Sequence, residues 1–373
     1  MQESRKVVAA RAPAPRVSPY QRQEALTGWL MAAPVILLLL TFLIVPFLFA
    51  FGFSFTNQRL ISPNPTEFVG TRNFERLLTV RPFVLKPDRD ADGNVLRDED
   101  GAIEYPRLRS LTRNNPDYPG LDGLREFTSW QVGQNRFVIL ASDTVFLRAL
   151  LNTFLFVLVV APAQAGFALL LALLINQPLR GVNVFRTIYF MPVVISLVVV
   201  SLLWRFIYDG QDGLLNSLLG FITFGAFEPV DWLGNPSTAL GSIMAMSIWQ
   251  GVGFHMVIWL SGLQTIPFVL YEAASISGAN ALQKFRFVTW PGLRNTAVLI
   301  LVVITMQAFG LFTQIDVMTR GGPLDATQSI VFQAVQRGFE KQDIAGGSAI
   351  SVLLFMLVLA VSFIQRFVTR ENR

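Results

Sequence analysis

An all-α membrane protein with six transmembrane helices is the fold class this sequence predicts, on three observations. Hydrophobic residues make up 52% of the 373 and charged residues only 15%, where a soluble surface needs about a quarter charged residues to stay wetted. Mean hydropathy is +0.48 and Phe occurs 32 times, so much of the surface faces something other than water. Six stretches free of Asp, Glu, Lys and Arg meet or approach the roughly 20 helical residues that cross a bilayer core of ~30 Å. Composition also excludes chemistry. With no Cys there is no disulfide framework, thiolate zinc site or Cys nucleophile, and a single His removes histidine-rich metal sites.

The elements follow in order. Residues 1–27 read as a disordered cytoplasmic tail, whose 9–18 segment is Pro-Ala-Arg low complexity. The apolar stretches run 31–51, 149–175, 187–204, 232–271, 295–315 and 345–365. The first belongs to a helix over 28–55, too apolar for too long to be a cleaved signal peptide, and reads as an anchor. The fourth is too long for one span; its polar start, Leu233 to Ser237, is loop, which leaves a helix near 239–263. Pro34, Pro46, Pro162 and Pro192 lie inside spans, as bundled membrane helices tolerate. Residues 56–145 form an external insert with twelve basic and thirteen acidic residues, and 146–370 hold helices two to six. No convincing internal repeat is visible.

Lys and Arg in the short connections set the orientation. Arg5, Lys6, Arg11, Arg16 and Arg22 crowd the tail; Arg180 and Arg186 follow helix two; Lys284, Arg286 and Arg294 follow helix four; Arg366, Arg370 and Arg373 end the chain. The connection after helix three holds Asp209, Asp212, Glu228 and Asp231 and no Lys or Arg. Both termini are therefore expected in the cytoplasm.

Between helices four and five the chain reads Tyr271-Glu272-Ala273-Ala274-Ser275-Ile276-Ser277-Gly278-Ala279-Asn280, continuing to Phe285 and Trp290-Pro291-Gly292. Residues 271–276 favour helix, and Gly278 can stop it in the left-handed conformation without a Cβ clash. A second short helix is expected from Asn280 to about Val288, with Pro291 opening helix five. On physics alone this is an amphipathic interfacial loop. Its spacing adds more. Glu-Ala-Ala, Gly six residues after the Glu and Pro thirteen after the Gly resemble the EAA motif of ABC importer permeases, in the class of the maltose and glycerol-phosphate permeases. Leu151-Asn152-Thr153, Phe185-Arg186-Thr187, Gly262 to Pro267 and Gly321-Gly322-Pro323 extend the resemblance over most of 28–370. Departures are Val288 and Trp290, where the family usually has Ile and Leu, and Ser277, where Asp is common.

The resemblance implies a cytoplasmic coupling helix that docks on an ATPase subunit, with Glu272, Ala273, Ala274, Gly278, Phe285 and Pro291 as coupling residues. It implies a second homologous permease, two copies of the ABC ATPase and a periplasmic solute-binding protein facing the insert. It places the chain in the bacterial inner membrane and makes it a transport subunit, with ATP and Mg held by the partner ATPase and no cofactor on this chain. The four lysines follow Arg5, Leu85, Gln283 and Glu340, so no Gly-Lys-Ser/Thr phosphate loop exists here. No nucleic-acid partner is expected.

A sugar path needs hydrogen-bonding and aromatic groups facing the bundle interior. On helix four, Ser247, Gln250, Gly251 and Phe254 share one face by their spacing, and by similarity they fall where the maltose permease contacts sugar. On helix five, Gln307, Leu311 and Gln314 have the same kind of spacing. Bonding between neighbouring helices accounts for such residues about as well. His255 reads as packed or path-lining rather than a proton relay, because no acidic partner shares its depth.

In the insert, Asp88, Asp90, Asp92 and Glu99 match ligand positions of an EF-hand calcium loop, with Gly93 at its turn position. Pro82 and Pro87 precede it and no amphipathic helix flanks it, so Asp-Gly turns joining short strands are preferred to a metal site. Two other functional classes fit the sequence less well. A secondary transporter driven by an ion gradient usually carries buried ionisable couples at mid-membrane, and these helix centres have none. A membrane enzyme would need its chemistry in an insert that holds no His.

Overall fold

The computed structural model describes residues 19–177 and 181–369; the tail before Pro19, Pro178 to Arg180 and the last four residues lie outside them. Two units divide it, the second beginning at Phe53. The first unit is essentially helix α1 (residues 19–53), which starts within the expected disordered tail and makes 19–27 helical; it is apolar all round from Trp29 to Phe51, the surface a bilayer covers. It widens to a π turn over Leu40–Ile44, where the Val45 N–H reaches Leu40 O. Pro46 follows at once. A proline ring would strike the carbonyl four residues back in a regular helix, and the wider turn relieves that clash.

The second unit opens with the insert. Helix α2 (Arg72–Leu78) leads into strand β1 (Val80–Leu85), and after a long excursion β2 (Arg125–Val132) and β3 (Asn135–Ala141) form a hairpin. The sheet is antiparallel in the order β1-β3-β2, with Val80 opposite Ala141 and Leu85 opposite Arg136. Leu85, Leu121, Leu124, Val138 and Leu140 make its small core. The helical class thus holds for the membrane part, and the insert adds a sheet.

Within the excursion a five-residue unit occurs twice, eight residues apart, as Arg89-Asp90-Ala91-Asp92-Gly93 and Arg97-Asp98-Glu99-Asp100-Gly101. Each folds as a tight hairpin, with bridges Arg89 to Val95 and Arg97 to Ile103 and positive φ at Gly93 and Gly101. In each the Arg Nη1 donates to the glycine carbonyl at 2.7 Å. This short repeat corrects the sequence reading, which found none.

Helix α3 (Thr144–Ile175) starts at an Asp143 cap whose carboxylate accepts the Phe146 N–H. The stretch predicted as one span at 187–204 is two helices, α4 (Val182–Val194) and α5 (Leu197–Ile207), bent by 98°. Ile195 and Ser196 are extended (ψ 139° and 134°), and Pro192 removes a helical N–H just upstream. After the short α6 (Leu214–Ile222), α7 (Ala239–Gln264) spans as predicted. Helix α8 (Phe268–Ile276) precedes α9 (Ala281–Phe309), then α10 (Thr313–Met318), α11 (Ile330–Val335) and α12 (Ile344–Thr369). Among the described residues five helices are long and apolar enough to cross a membrane, and the bent pair makes six when counted as one span.

The core lies where α3 packs along α7, with α9 across both. Ala161, Ala165, Ala168 and Ala172 are buried on α3, and small residues let helix backbones approach closely. Trp259 donates its Nε1–H across the gap to Ala165 O at 3.0 Å. At the insert end, α3 is tied to the segment after α10. Arg148 donates to Leu324 O, Asn152 to Ala326 O and Gln328 O, and Thr153 Oγ1 accepts the Ile330 N–H.

Candidate functional site

Helices α3, α4, α5, α7, α9 and α10 enclose a cavity of about 510 Å³. Ser247, Gln250, Gly251 and Phe254 line it from α7, as their shared face requires, and Gln307 lines it from α9. Helix α9 does not run to residue 315. It ends at Phe309, and Gly310 (φ −80°, ψ 15°) breaks the spacing that placed Gln307, Leu311 and Gln314 on one face. Leu311 consequently turns into the core at 2% exposure and is not part of the lining. Gln314 still reaches the cavity, from α10.

The sequence reading missed Gln164. It is an isolated amide in the apolar run of α3, two residues after Pro162, and that isolation was the available signal. It is buried, with Nε2 3.2 Å from His255 Nδ1. The His255 Nδ1 also lies 2.8 Å from Gly251 O. No Asp, Glu, Lys or Arg is among the lining residues.

At the other end of α7 lies the loop. Glu272, Ala273 and Ala274 sit on α8, with Glu272 exposed. The helix stops in a left-handed turn, Gly278 having φ +77°, while the Ala279 N–H closes back on Ala274 O. Asn280 then starts the next helix with a reciprocal cap, accepting from the Gln283 N–H while Gln283 Oε1 accepts the Asn280 N–H. Tyr271 and Thr289 pair their hydroxyls at 3.0 Å, pinning α8 to the following segment. The second short helix is not separate, as expected, but continuous with α9. A π turn over Phe285–Thr289 joins them, and the regular α-helix resumes at Trp290 with Pro291 in its first turn, as expected. As at Pro46, the widened turn comes just before the proline. Phe285 is half-buried, and Ile276, Leu282 and Phe287 project with 70% or more of their surface exposed.

In the insert, Asp90 Oδ1 accepts backbone N–H groups from Asp92 and Asn94, which holds its carboxyl below the usual carboxylate range. Among the described residues no three His, Cys, Asp or Glu converge as a metal set would, so Asp88, Asp90, Asp92 and Glu99 are not brought together.

Comparison with known proteins adds the lineage. Residues 138–373 match the family described as binding-protein-dependent transport system inner membrane component. The trehalose/maltose transport system permease protein MalF of Thermococcus litoralis is 29% identical over 351 residues, 94% of this chain and 96% of its own. The sn-glycerol-3-phosphate transport system permease protein UgpA of Yersinia pestis is 31% identical over 246 residues, 65% of this chain and 81% of its own. A bacterial ABC transporter involved in the import of the acidic polysaccharide alginate has a TM-score of 0.64 at 20% identity, covering 94% of this chain and 100% of that one, a likeness of fold. The matched span takes in both the cavity and the loop, and the chain belongs to the inner-membrane components of binding-protein-dependent transport systems, as a multi-pass permease and not an enzyme.

Proposed function

We propose that this chain is one permease subunit of an ATP-driven sugar importer, with the cavity as its share of the translocation path. The observation that carries the reading is the convergence of Ser247, Gln250, Gln307 and Gln314, from three helices, on one uncharged cavity. Amides and hydroxyls both donate and accept, which suits a solute covered in hydroxyl groups. Phe254 offers an apolar ring face beside them. Relatives named for trehalose/maltose and xylose/arabinose transport support the same solute class.

The remaining parts of the machine follow from that reading. A second homologous permease completes the path, a periplasmic binding protein delivers the sugar, and two ATPase copies hold ATP and Mg. The loop around Glu272 and Gly278 faces the ATPase, with both termini on the same, cytoplasmic side. Its exposed Ile276, Leu282 and Phe287 form an apolar rim suited to a partner surface.

The test is uptake of labelled sugar into proteoliposomes holding the assembled complex. Uptake should require ATP inside and binding protein outside. Gln250→Leu and Gln307→Leu should each lower it while leaving the ATPase bound. Normal uptake by both variants would make these residues packing groups and overturn the path.

A further inference from the structure

Ser247, Gly251 and His255 stand four residues apart on one face of α7 and form a single wall of the cavity. Gly251 gives that wall its shape, since a Cβ there would overlap the Gln164 amide arriving from α3. The geometry also fixes the imidazole tautomer. His255 Nδ1 lies 2.8 Å from the Gly251 carbonyl oxygen, a distance at which two acceptors would repel, so Nδ1 carries the proton and donates. The Gln164 amide nitrogen lies 3.2 Å from the same Nδ1 and fills the space left by the missing Gly251 side chain, which holds the ring in place. In the neutral ring Nε2 is then a bare acceptor. His255 is 1% exposed, and this Nε2 has no partner among the described residues; neither has the buried Ser247 Oγ. A buried acceptor without a donor is costly, and a cavity is where a ligand can supply one.

We propose that Gln164 is a positioning residue that holds His255 so that Nε2 accepts a hydrogen bond from a hydroxyl of the passing solute. This wall restricts the path to uncharged polyhydroxy solutes. The inference rests on the sugar reading above. A hydroxyl supplies the proton Nε2 needs and can pair with Ser247 Oγ. A phosphate or carboxylate group adds a charge, and the lining has no Lys or Arg to offset its desolvation.

The assembled complex in proteoliposomes, with ATP and binding protein, should be given labelled trehalose, maltose, xylose and glycerol 3-phosphate. Import of a neutral sugar with glycerol 3-phosphate at background is the expected result. The monodeoxy derivatives of the imported sugar then locate the contact. One of them should enter the wild type about tenfold more slowly than its parent, the size of one lost hydrogen bond. In His255→Leu and in Gln164→Leu that derivative and its parent should enter at equal rates, a change that a packing role would not produce. If His255→Leu fails to assemble, Gln164→Leu carries the same readout. Discrimination that persists in the variants would overturn the proposal and leave the sugar path standing. Import of glycerol 3-phosphate in place of the neutral sugars would overturn the restriction to uncharged solutes. Import of none of the four would remove the sugar reading and this inference together.

Discussion

Arg337 Nη1 lies 2.6 Å from Asp143 Oδ2, joining the π turn after α11 to the first turn of α3. The same guanidinium reaches Asp343 with Nε 2.9 Å from Oδ2. Each carboxylate has a second task. Asp143 caps α3 through the Phe146 N–H, and Asp343 holds the Gly346 N–H at the start of α12. One buried arginine thus fixes the insert-side ends of two spanning helices that are two hundred residues apart in the chain. A planar fork with several donors suits this, where a lysine ammonium would not span both acceptors.

Arg337→Met should therefore destabilise the permease by about 3–5 kcal/mol, because it leaves two partly buried carboxylates unpaired. Asp143→Asn should cost less, since its remaining oxygen can still accept the Phe146 N–H. Thermal unfolding of the detergent-solubilised protein would rank the two. Equal stability of Arg337→Met and wild type would show the network to be dispensable.

How much of this was legible in the sequence depends on what sets each feature. Long apolar runs mark α3, α7 and α12, and hydropathy alone places them. The 98° bend between α4 and α5 depends on two extended residues, Ile195 and Ser196, whose composition is as apolar as the helices they join. The sheet is hidden because β2 is largely exposed, so no clear alternation of apolar and polar residues marks it. On α7 a shared face was enough to find four lining residues, whereas the break at Gly310 undid the same argument for Leu311. Gln164 stands out in the sequence as a lone amide in an apolar run, but its partner His255 is 91 residues away and is met only where α3 packs on α7.

The Asp-Gly hairpins should behave as turns closed by their own backbone. Asp90 has a lowered pKa because backbone N–H groups, chiefly that of Asn94, stabilise its charged form. Its contribution is therefore present above the ordinary value of 3.8 and is lost as the pH falls below it. Amide chemical shifts of Asp92 and Asn94 should stay constant from neutral pH down to that range and then move together. Calorimetry on the whole protein should show no stoichiometric calcium binding. Stoichiometric binding that disappears in Asp88→Ala would reverse this assignment.

Reporter fusions test the orientation and the bent pair together. Fusions at Gly120 and Asp231 should report the external side, and a fusion at Gly181 the cytoplasm. If α4 and α5 turn back without crossing, Asp231 will report the same side as Gly181. That result would leave five spans and put the termini on opposite sides.

The loop between α8 and α9 turns on one glycine. Gly278 has φ +77° with open space where a Cβ would project, so a side chain there would meet strain in the backbone and no steric clash. The cost of forcing a branched residue into that conformation is ~1–2 kcal/mol, enough to redirect a turn held by few bonds. Gly278→Val should therefore shift the angle between α8 and α9 while leaving the distant cavity intact. Glu272→Ala acts differently. It removes an exposed carboxylate that can accept charge-assisted hydrogen bonds from a partner, without disturbing the Gly278 turn or the Tyr271–Thr289 pin. Both variants should insert in the membrane normally and unfold within a few degrees of wild type, yet lose binding-protein-stimulated ATP hydrolysis or release the ATPase on purification. Gly278→Ala, which carries less bulk at the same φ, should fall between Gly278→Val and wild type. If all three variants keep both the stimulated hydrolysis and the ATPase, then the loop is an interfacial helix pair, and coupling must run through another part of the chain.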